Sequence, residues 1–152
     1  MSRRLFISNL LILFLLPTTA FSQEKADLIK GPITITSGML TADNRAHTAA
    51  FENSVVARTS DMTLYADRML VSYDANSGDV KMIEAEGTVK LLRGTRAIIS
   101  QKATYYADAE KVIFTGEPRA SDGENVVTGT KIIYLLNEDR YLVENSKVFL
   151  KK

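Results

Sequence analysis

Four aspartates are the residues of this chain whose type and spacing come nearest to a metal site. Asp61, Asp67, Asp74 and Asp79 form a loose carboxylate series, and carboxylate oxygens are ligands that Ca²⁺ prefers. A calcium loop needs closely alternating acidic residues and a glycine at its sharp turn, and residues 74–79 (DANSGD) follow that spacing only faintly. We therefore expect these aspartates to lie at turns and corners, where Asp hydrogen-bonds its local backbone, and we predict no metal site.

Catalytic chemistry has equally little support in the sequence. His47, the single histidine, lies in a predicted hairpin without a partner that spacing would place beside it. The chain has no cysteine, which excludes a disulfide framework and a thiolate metal site. It also lacks the Gly-x-Ser-x-Gly elbow, the phosphate loop and the dinucleotide fingerprint. We therefore predict no cofactor and no enzymatic activity.

The N-terminal segment has the pattern of a secretory signal peptide. Arg3 and Arg4 precede a short apolar run over residues 5–16, and small residues before position 22 offer a cleavage site. The apolar run is shorter than the ~20 residues needed to span a bilayer, which favours cleavage over an uncleaved anchor. We therefore divide the chain into a signal peptide, residues 1–22, and a single mature domain, residues 23–152.

The charge balance does not point to a polyanionic partner. The chain has 19 Lys and Arg residues and 18 Asp and Glu residues. Two of the basic residues, Arg3 and Arg4, belong to the signal peptide, so the mature chain has a net charge of 17 − 18 = −1. No cationic cluster marks one face, and we predict no nucleic-acid binding.

A repeat of about 30 residues organises the mature chain. Four similar segments begin at positions 38, 67, 101 and 130, with steps of 29, 34 and 29 residues. A second set begins at positions 51, 85, 114 and 143, with steps of 34, 29 and 29 residues. One insertion of five residues explains both long steps, and we place it at the turn residues 74–79. Such a period indicates stacked units, none of which buries its apolar face alone.

Within each unit the apolar residues alternate with a period of two, which predicts strands with one buried face. The alternation slips by one residue at a matched place in the repeats, after Ala66, Ser100 and Gly129. A β-bulge or corner gives such a slip, so each long strand is expected to bend there. Clusters of turn residues close the units into hairpins near 43–45, 76–78, 108–110 and 137–139.

These patterns predict an all-β domain of about four hairpin repeats around one core. Pro118 stands at a strand position and cannot donate to a ladder, so an edge or bulge is expected there. From pattern alone, the shared apolar face fits either a filled sandwich core or a trough, open at its ends, for acyl chains. The members of this face are Ile35, Leu40, Phe51, Val55, Leu64, Met69, Val71, Val89, Ile98, Tyr105, Phe114, Val127, Ile132, Tyr134 and Val143.

Three stretches carry a resemblance to a known family: residues 62–69 (MTLYADRM), 111–116 (KVIFTG) and 125–134 (NVVTGTKIIY). They are similar to the I-x-A-D-K/R, F/L-T-G-N and G-D-K-I-x-Y strands of the OstA-like domain in lipopolysaccharide-transport proteins of the LptA type. The similarity extends over nearly all of residues 31–148. Four copies of loose motifs in order behind a signal peptide make this resemblance fairly specific.

The resemblance implies a twisted OstA-like β-jellyroll with open ends, whose apolar interior holds the lipid A acyl chains of lipopolysaccharide. Proteins of this type are periplasmic carriers and catalyse nothing. They assemble head to tail into a bridge from an LptC-type inner-membrane protein to an LptD-type outer-membrane protein. Two alternatives stay open: an LptC-like component that keeps an N-terminal membrane anchor, and a β-stacked envelope scaffold with a closed core and no ligand. A periplasmic hydrolase of unknown type is a much weaker third.

Overall fold

The computed structural model describes residues 32–151, which form twelve β-strands, all paired antiparallel. The strands are β1 (Thr34–Thr36), β2 (Met39–Asp43), β3 (Thr48–Arg58), β4 (Thr63–Tyr73), β5 (Val80–Arg93), β6 (Arg96–Tyr106), β7 (Lys111–Thr115), β8 (Arg119–Asp122), β9 (Asn125–Thr128), β10 (Lys131–Leu135), β11 (Arg140–Glu144) and β12 (Lys147–Phe149). The predicted signal peptide, residues 1–22, and the start of the mature domain lie outside the described residues.

The long strands bend, and the sheet folds over on itself into two layers. β3 pairs with β2 through residues 48–52 and with β1 through residues 56–58. β6 likewise pairs with β7 through one half and with β8 through the other. We call the order β1-β3-β4-β5-β6-β8-β9-β12 the β1 layer, and the order β2-β3-β4-β5-β6-β7-β10-β11 the β2 layer. Strands β3 to β6 contribute one half to each layer, as a jellyroll requires.

The jellyroll is open at both ends. Among the described strands, β1 and β2 at one end and β11 and β12 at the other each have a single hydrogen-bonded neighbour. Their outer N–H and C=O groups are therefore available for pairing with another strand. In each layer, six strands lie between the two terminal strands.

The predicted corner is present, and the structure shows which strand is bulged there. In β3 the consecutive residues Asn53 and Ser54 have positive φ angles of 66° and 59°. The pairing with β4 passes from Glu52 opposite Arg68 to Val55 opposite Ala66, so β3 has one residue more than β4 at this point. The bulge is therefore in β3, whereas the slip in the sequence alternation is in its partner β4. The same pair of positive φ angles recurs in the sister repeats, at Gly87 and Thr88 and at Gly116 and Glu117.

Two of the corner glycines are required by close contacts as well as by their φ angles. A Cβ atom on Gly87 would lie 2.3 Å from Oδ2 of Asp67 on β4, and one on Gly116 would lie 2.5 Å from Cβ of Gln101 on β6. Neighbouring strands thus lie too close for a side chain at Gly87 and Gly116, where they turn from one layer into the other. Pro118, next to the Gly116 bulge, is buried and stands between the end of β7 and the start of β8, as the predicted bulge requires.

Of the four aspartates in the predicted series, Asp74 hydrogen-bonds its local backbone as predicted, whereas Asp61 in the β3–β4 turn pairs with Arg93 at 3.0 Å and Asp67 lies within β4. Oδ1 of Asp74 accepts hydrogen bonds from the N–H groups of Asn76 and Ser77 at 2.9 and 3.0 Å. The bonds from Ser77 and Asn76 lower the pKa of the Asp74 carboxyl. Within residues 32–151, no group of three or more acidic or histidine side chains is placed to hold a metal ion. His47 is an exposed turn residue with a φ angle of 52°.

The five-residue insertion falls in the β4–β5 hairpin, but the predicted turn holds only 6 − 4 = 2 of the five residues. The turn between these strands covers residues 74–79, whereas the sister turns cover 44–47, 107–110 and 136–139. The remaining 5 − 2 = 3 residues lengthen the flanking strands. Lys81 forms a bulge there, since the pairing passes from Ser72 with Met82 to Tyr73 with Val80.

Candidate functional site

The inward faces of the two layers meet in one apolar core, and most of the predicted face belongs to it. Eight of its members are buried: Val55, Met69, Val71, Val89, Ile98, Phe114, Ile132 and Tyr134. Six more are partly buried against these: Ile35, Phe51, Leu64, Tyr105, Val127 and Val143. The remaining member, Leu40, is 56 % exposed, because its strand β2 lies at the edge of the sheet.

The alternation also contained core residues that the predicted set left out. Ile83 and Ala85 on β5 are buried, and like Val89 they occupy odd-numbered positions of the strand, which face the core. Ala85 lies directly opposite Ala103 of β6, where two small side chains let the layers approach. The repeat positions of these alanines were visible in the sequence, but their small size hid them among the larger apolar residues.

A partly open, apolar cavity lies between the two layers. Its volume is about 80 Å³, and among the described residues that line it Thr59 and Tyr105 have a hydroxyl group. The β1 layer contributes Leu64 and Leu91, and the β2 layer contributes Tyr105 and Phe114. The walls therefore offer dispersion contacts and no charge, which suits a hydrocarbon chain and excludes a polar substrate.

Two larger clefts lie near the ends of the jellyroll. Beside β2 a groove of about 600 Å³ runs along Leu40 and Phe51 to the tip of the β4–β5 hairpin. Near β12 a cleft of about 290 Å³ lies between Ala120 and Val127 of the β1 layer and Tyr141 of the β2 layer. Both clefts mix apolar with polar lining residues: the first includes Asp43, Asn44 and His47, and the second includes Arg96, Asp122 and Asn125.

Exposed hydrophobic side chains concentrate at the terminal strands. Eight large hydrophobic residues of the described chain are exposed, and six of them lie on or next to the terminal strands: Met39, Leu40, Leu142, Val148, Phe149 and Leu150. The other two, Tyr65 and Ile99, are on the outward faces of β4 and β6. Clustering of apolar side chains at unpaired edges is typical of surfaces that another protein covers.

Charged side chains meet where hairpin tips of the two layers touch. This tip cluster consists of Asp61, Arg93, Arg96, Tyr134 and Asp139. Arg96 donates two hydrogen bonds to the carboxylate of Asp139, at 2.8 and 2.9 Å, and the Tyr134 hydroxyl donates to the same carboxylate at 2.6 Å. Arg93 donates to the Tyr134 hydroxyl and pairs with Asp61 at 3.0 Å. Two arginines thus balance two carboxylates.

The ionisation of the tip cluster follows from these bonds. The hydrogen bonds from Arg96 and then from Tyr134 lower the pKa of Asp139. Burial, followed by its bond to Asp139, raises the pKa of the Tyr134 hydroxyl. The carboxylate is therefore charged and the phenol neutral at physiological pH, so the cluster is a set of fixed hydrogen bonds and not a proton-transfer site.

The described strands thus form an all-β jellyroll with an apolar interior and free strand edges at both ends. A family model described as "LptA/(LptD N-terminal domain) LPS transport protein" matches residues 34–140. The chain belongs to this family of lipopolysaccharide-transport proteins, which are not enzymes. Within residues 32–151 no helix is long and apolar enough to cross a membrane.

A solved structure supports the fold. The crystal structure of LptH, described as the LptA-homologous periplasmic component of the lipopolysaccharide transport device of Pseudomonas aeruginosa, matches with a TM-score of 0.74. The match covers 83 % of this chain and 99 % of that chain at 12 % sequence identity. At this identity the likeness shows a shared jellyroll fold. A search of curated proteins found no match.

Proposed function

We propose that this chain is a periplasmic carrier of lipopolysaccharide that holds the lipid A acyl chains between its two layers and joins end to end into a bridge. The observation that carries this proposal is the single apolar core, built from both layers of a jellyroll whose two ends are open. A chain of carriers with connected interiors passes a lipid along without exposing its acyl chains to water. Exposure would be costly, because burying each CH₂ away from water is favourable by about 0.8 kcal/mol.

The size of the central cavity adds a condition to the proposal. A volume of about 80 Å³ is well below the ~300–1,000 Å³ of typical ligand pockets. Acyl chains therefore enter only if the layers part, which a jellyroll joined at its corner permits along the opposite side. The ligand-free scaffold is the second candidate function, and the well-filled core around Phe114 and Tyr134 favours it.

End-to-end assembly is supported by the free edges and by the repeat itself. Residues 143–147 repeat the pattern of residues 51–55, and residues 38–42 repeat that of 67–71. Phe51 pairs with Met69 within the chain. Continuing the same repeat into a second copy therefore pairs Val143 with Leu40 of that copy, both on the inward face. The hydrophobic edges would be covered by this contact.

The same register gives complementary side chains elsewhere along the contact. Leu142 lies opposite Thr41 of the second copy on the outward face, and Arg140 lies opposite Asp43. Both charged residues are exposed, and an exposed pair of this kind contributes about 0.2–1 kcal/mol, so it helps register more than affinity. In the full bridge, the end strands of an LptC-type inner-membrane protein and an LptD-type outer-membrane protein would take the place of the second copy.

We predict that the interior faces, and not the outer faces, contact the acyl chains. Photocrosslinking amino acids at Leu64, Ile98 or Phe114 will capture lipopolysaccharide, since these side chains lie in or beside the core. The matched controls Tyr65 and Ile99 neighbour the first two residues in sequence but are exposed on the outside. Capture from the control positions alone would show that the faces are assigned wrongly.

Export should remove residues 1–22. The short apolar run and the small residues before position 22 predict cleavage after Ser22. The intact mass of the protein recovered from the native envelope will therefore correspond to a chain that begins at Gln23. A mass that includes Met1 would instead favour the LptC-like alternative with a membrane anchor.

A further inference from the structure

The hairpin tips of the β2 layer are tied to each other by backbone hydrogen bonds. Tyr73 N–H donates to the carbonyl of His47 at 2.9 Å, and Ala107 N–H donates to that of Lys81 at 3.0 Å. Leu136 N–H donates to the carbonyl of Glu110, also at 3.0 Å. The tips on the side opposite the corner therefore form one continuous rim, which can be expected to move as a unit.

The tip cluster connects this rim to the β1 layer. Arg93 and Arg96 flank the β5–β6 turn at the tip of the β1 layer, whereas Asp139 ends the β10–β11 turn of the β2 layer. Arg96 and Asp139 make the bidentate bond described above, and this planar geometry is the strongest that arginine forms with a carboxylate. Arg93 also binds Asp61 in the β3–β4 turn, so three hairpin tips meet at one point.

These contacts are placed asymmetrically along the jellyroll. In the β2 layer, Asp139 and Tyr134 belong to the last hairpin, in the C-terminal half of that layer. In the β1 layer, Arg93 and Arg96 flank the central β5–β6 turn, and Asp61 lies in the β3–β4 turn. In the N-terminal half, the tips of the β2–β3 and β4–β5 hairpins border the groove of about 600 Å³ that contains Phe51. The groove wall includes Asn44 and Gly78 from these two turns. The side of the interior is thus closed by the tip cluster in one half and bordered by a wide groove in the other.

We propose that the tip cluster is a clasp that fastens the C-terminal half of the β2 layer to the β1 layer, so that the interior opens sideways along the N-terminal half of the β2 layer. The narrow central cavity makes such parting necessary for any acyl chain, and the clasp determines where it begins. Because the arginines are already neutralised by Asp61 and Asp139, the cluster acts as a fastening and not as an anion-binding site. The lipid-entry part of this inference rests on the proposed function; the mechanical part does not.

Spin labels at two exposed positions outside the cluster will test the clasp. The chain has no cysteine, so Lys90→Cys in the β1 layer and Asn137→Cys in the β2 layer can be labelled specifically. Double electron–electron resonance, with the labelled protein diluted into excess unlabelled protein, will give one narrow distance peak. We expect Asp139→Ala and Arg96→Ala each to add a broad component at longer distances to that peak, because the loss of one partly exposed charged contact shifts the population only in part.

Glu144→Gln is the matched control, because it removes an ion pair of 2.8 Å with Lys131 that lies within one layer of the same hairpin. It should leave the narrow peak in place. An unchanged distribution in Asp139→Ala and Arg96→Ala, or the same broadening in Glu144→Gln, would overturn the clasp.

Release of bound cis-parinaric acid, a fluorescent fatty acid, tests the consequence for entry. We expect release to be about fivefold faster in Asp139→Ala than in Glu144→Gln, in line with the loss of one partly exposed charged contact. Equal rates would refute control of entry by the clasp. If no variant binds the probe while the distances still widen, the clasp stands and the lipid-carrying function is what fails.

Discussion

A chain that carries both Thr41→Cys and Leu142→Cys will form a ladder of disulfide-linked oligomers under mild oxidation. The register of the repeat places these two positions opposite each other when β2 of one copy pairs with β11 of another. Directly opposite residues of an antiparallel pair have Cβ atoms about 4.5–5.5 Å apart, close to what a disulfide requires. Both side chains are exposed, so the substitutions leave the core intact.

The matched control moves one cysteine by two residues along the same face. Thr41→Cys with Arg140→Cys places the two sulfur atoms on diagonal positions, where Cβ atoms lie up to about 7–8 Å apart, and should give little crosslinking. Each single cysteine variant should stop at a dimer, because it has one thiol per chain. Equal ladders from the two double variants would show that the predicted register is wrong.

Without crosslinks, assembly should depend on concentration. Light scattering will show a mass that grows with concentration, because a heterologous contact does not close at a dimer. Removal of residues 147–152, which takes away β12, should abolish that growth since half of one end surface is lost. A monomer or a closed dimer at every concentration would favour a simple carrier or a scaffold over a bridge.

Gly87→Ala will lower the free energy of unfolding by about 3 kcal/mol, a large effect for one methyl group. Part of the loss comes from the φ angle of +75°, because a left-handed residue with a Cβ costs about 1–2 kcal/mol. The rest comes from the contact of the new Cβ with the Asp67 side chain, only 2.3 Å away. Urea unfolding followed by circular dichroism will measure the change.

Gly94→Ala separates the two causes. Gly94 also has a positive φ angle, of 58°, but a Cβ atom there meets nothing within 4 Å. This variant should lose about 1 kcal/mol, the cost of the backbone conformation alone. If both alanine variants unfolded at the same urea concentration, close packing at the corner would not be what requires Gly87.

Much of the fold could be predicted because two periods in the sequence act at different scales. The period of two gave the inward face, and the period of about 30 residues gave matched hairpins with a corner after Ala66 and Ser100. The bulged partner strand was missed, although its signal was present. Asn53, Gly87 and Gly116 occupy one repeat position, and Asn and Gly are the residues that best adopt positive φ angles.

The tip cluster could not be predicted from the sequence. Arg96 and Asp139 are 43 residues apart, and their contact depends on how far the two layers fold toward each other. Neither the alternation of apolar residues nor the spacing of the repeats determines the angle between the two layers. Leu40 was correctly predicted to lie on the inward face, since it pairs with Phe51. Its exposure was not predicted, because it results from the position of β2 at the edge of the sheet.

Mass spectrometry of the mature protein, recovered from the envelope of a lipopolysaccharide-producing host, tests the central claim most directly. The proposed carrier function predicts lipopolysaccharide bound to the recovered protein, and predicts that Phe114→Asp loses it, because an unpaired charge in the interior is costly. Circular dichroism will establish that this variant is folded, and Ile98→Asp offers a second interior site if it is not. Recovery of the folded, unaltered protein without lipopolysaccharide would contradict the account and favour a ligand-free scaffold.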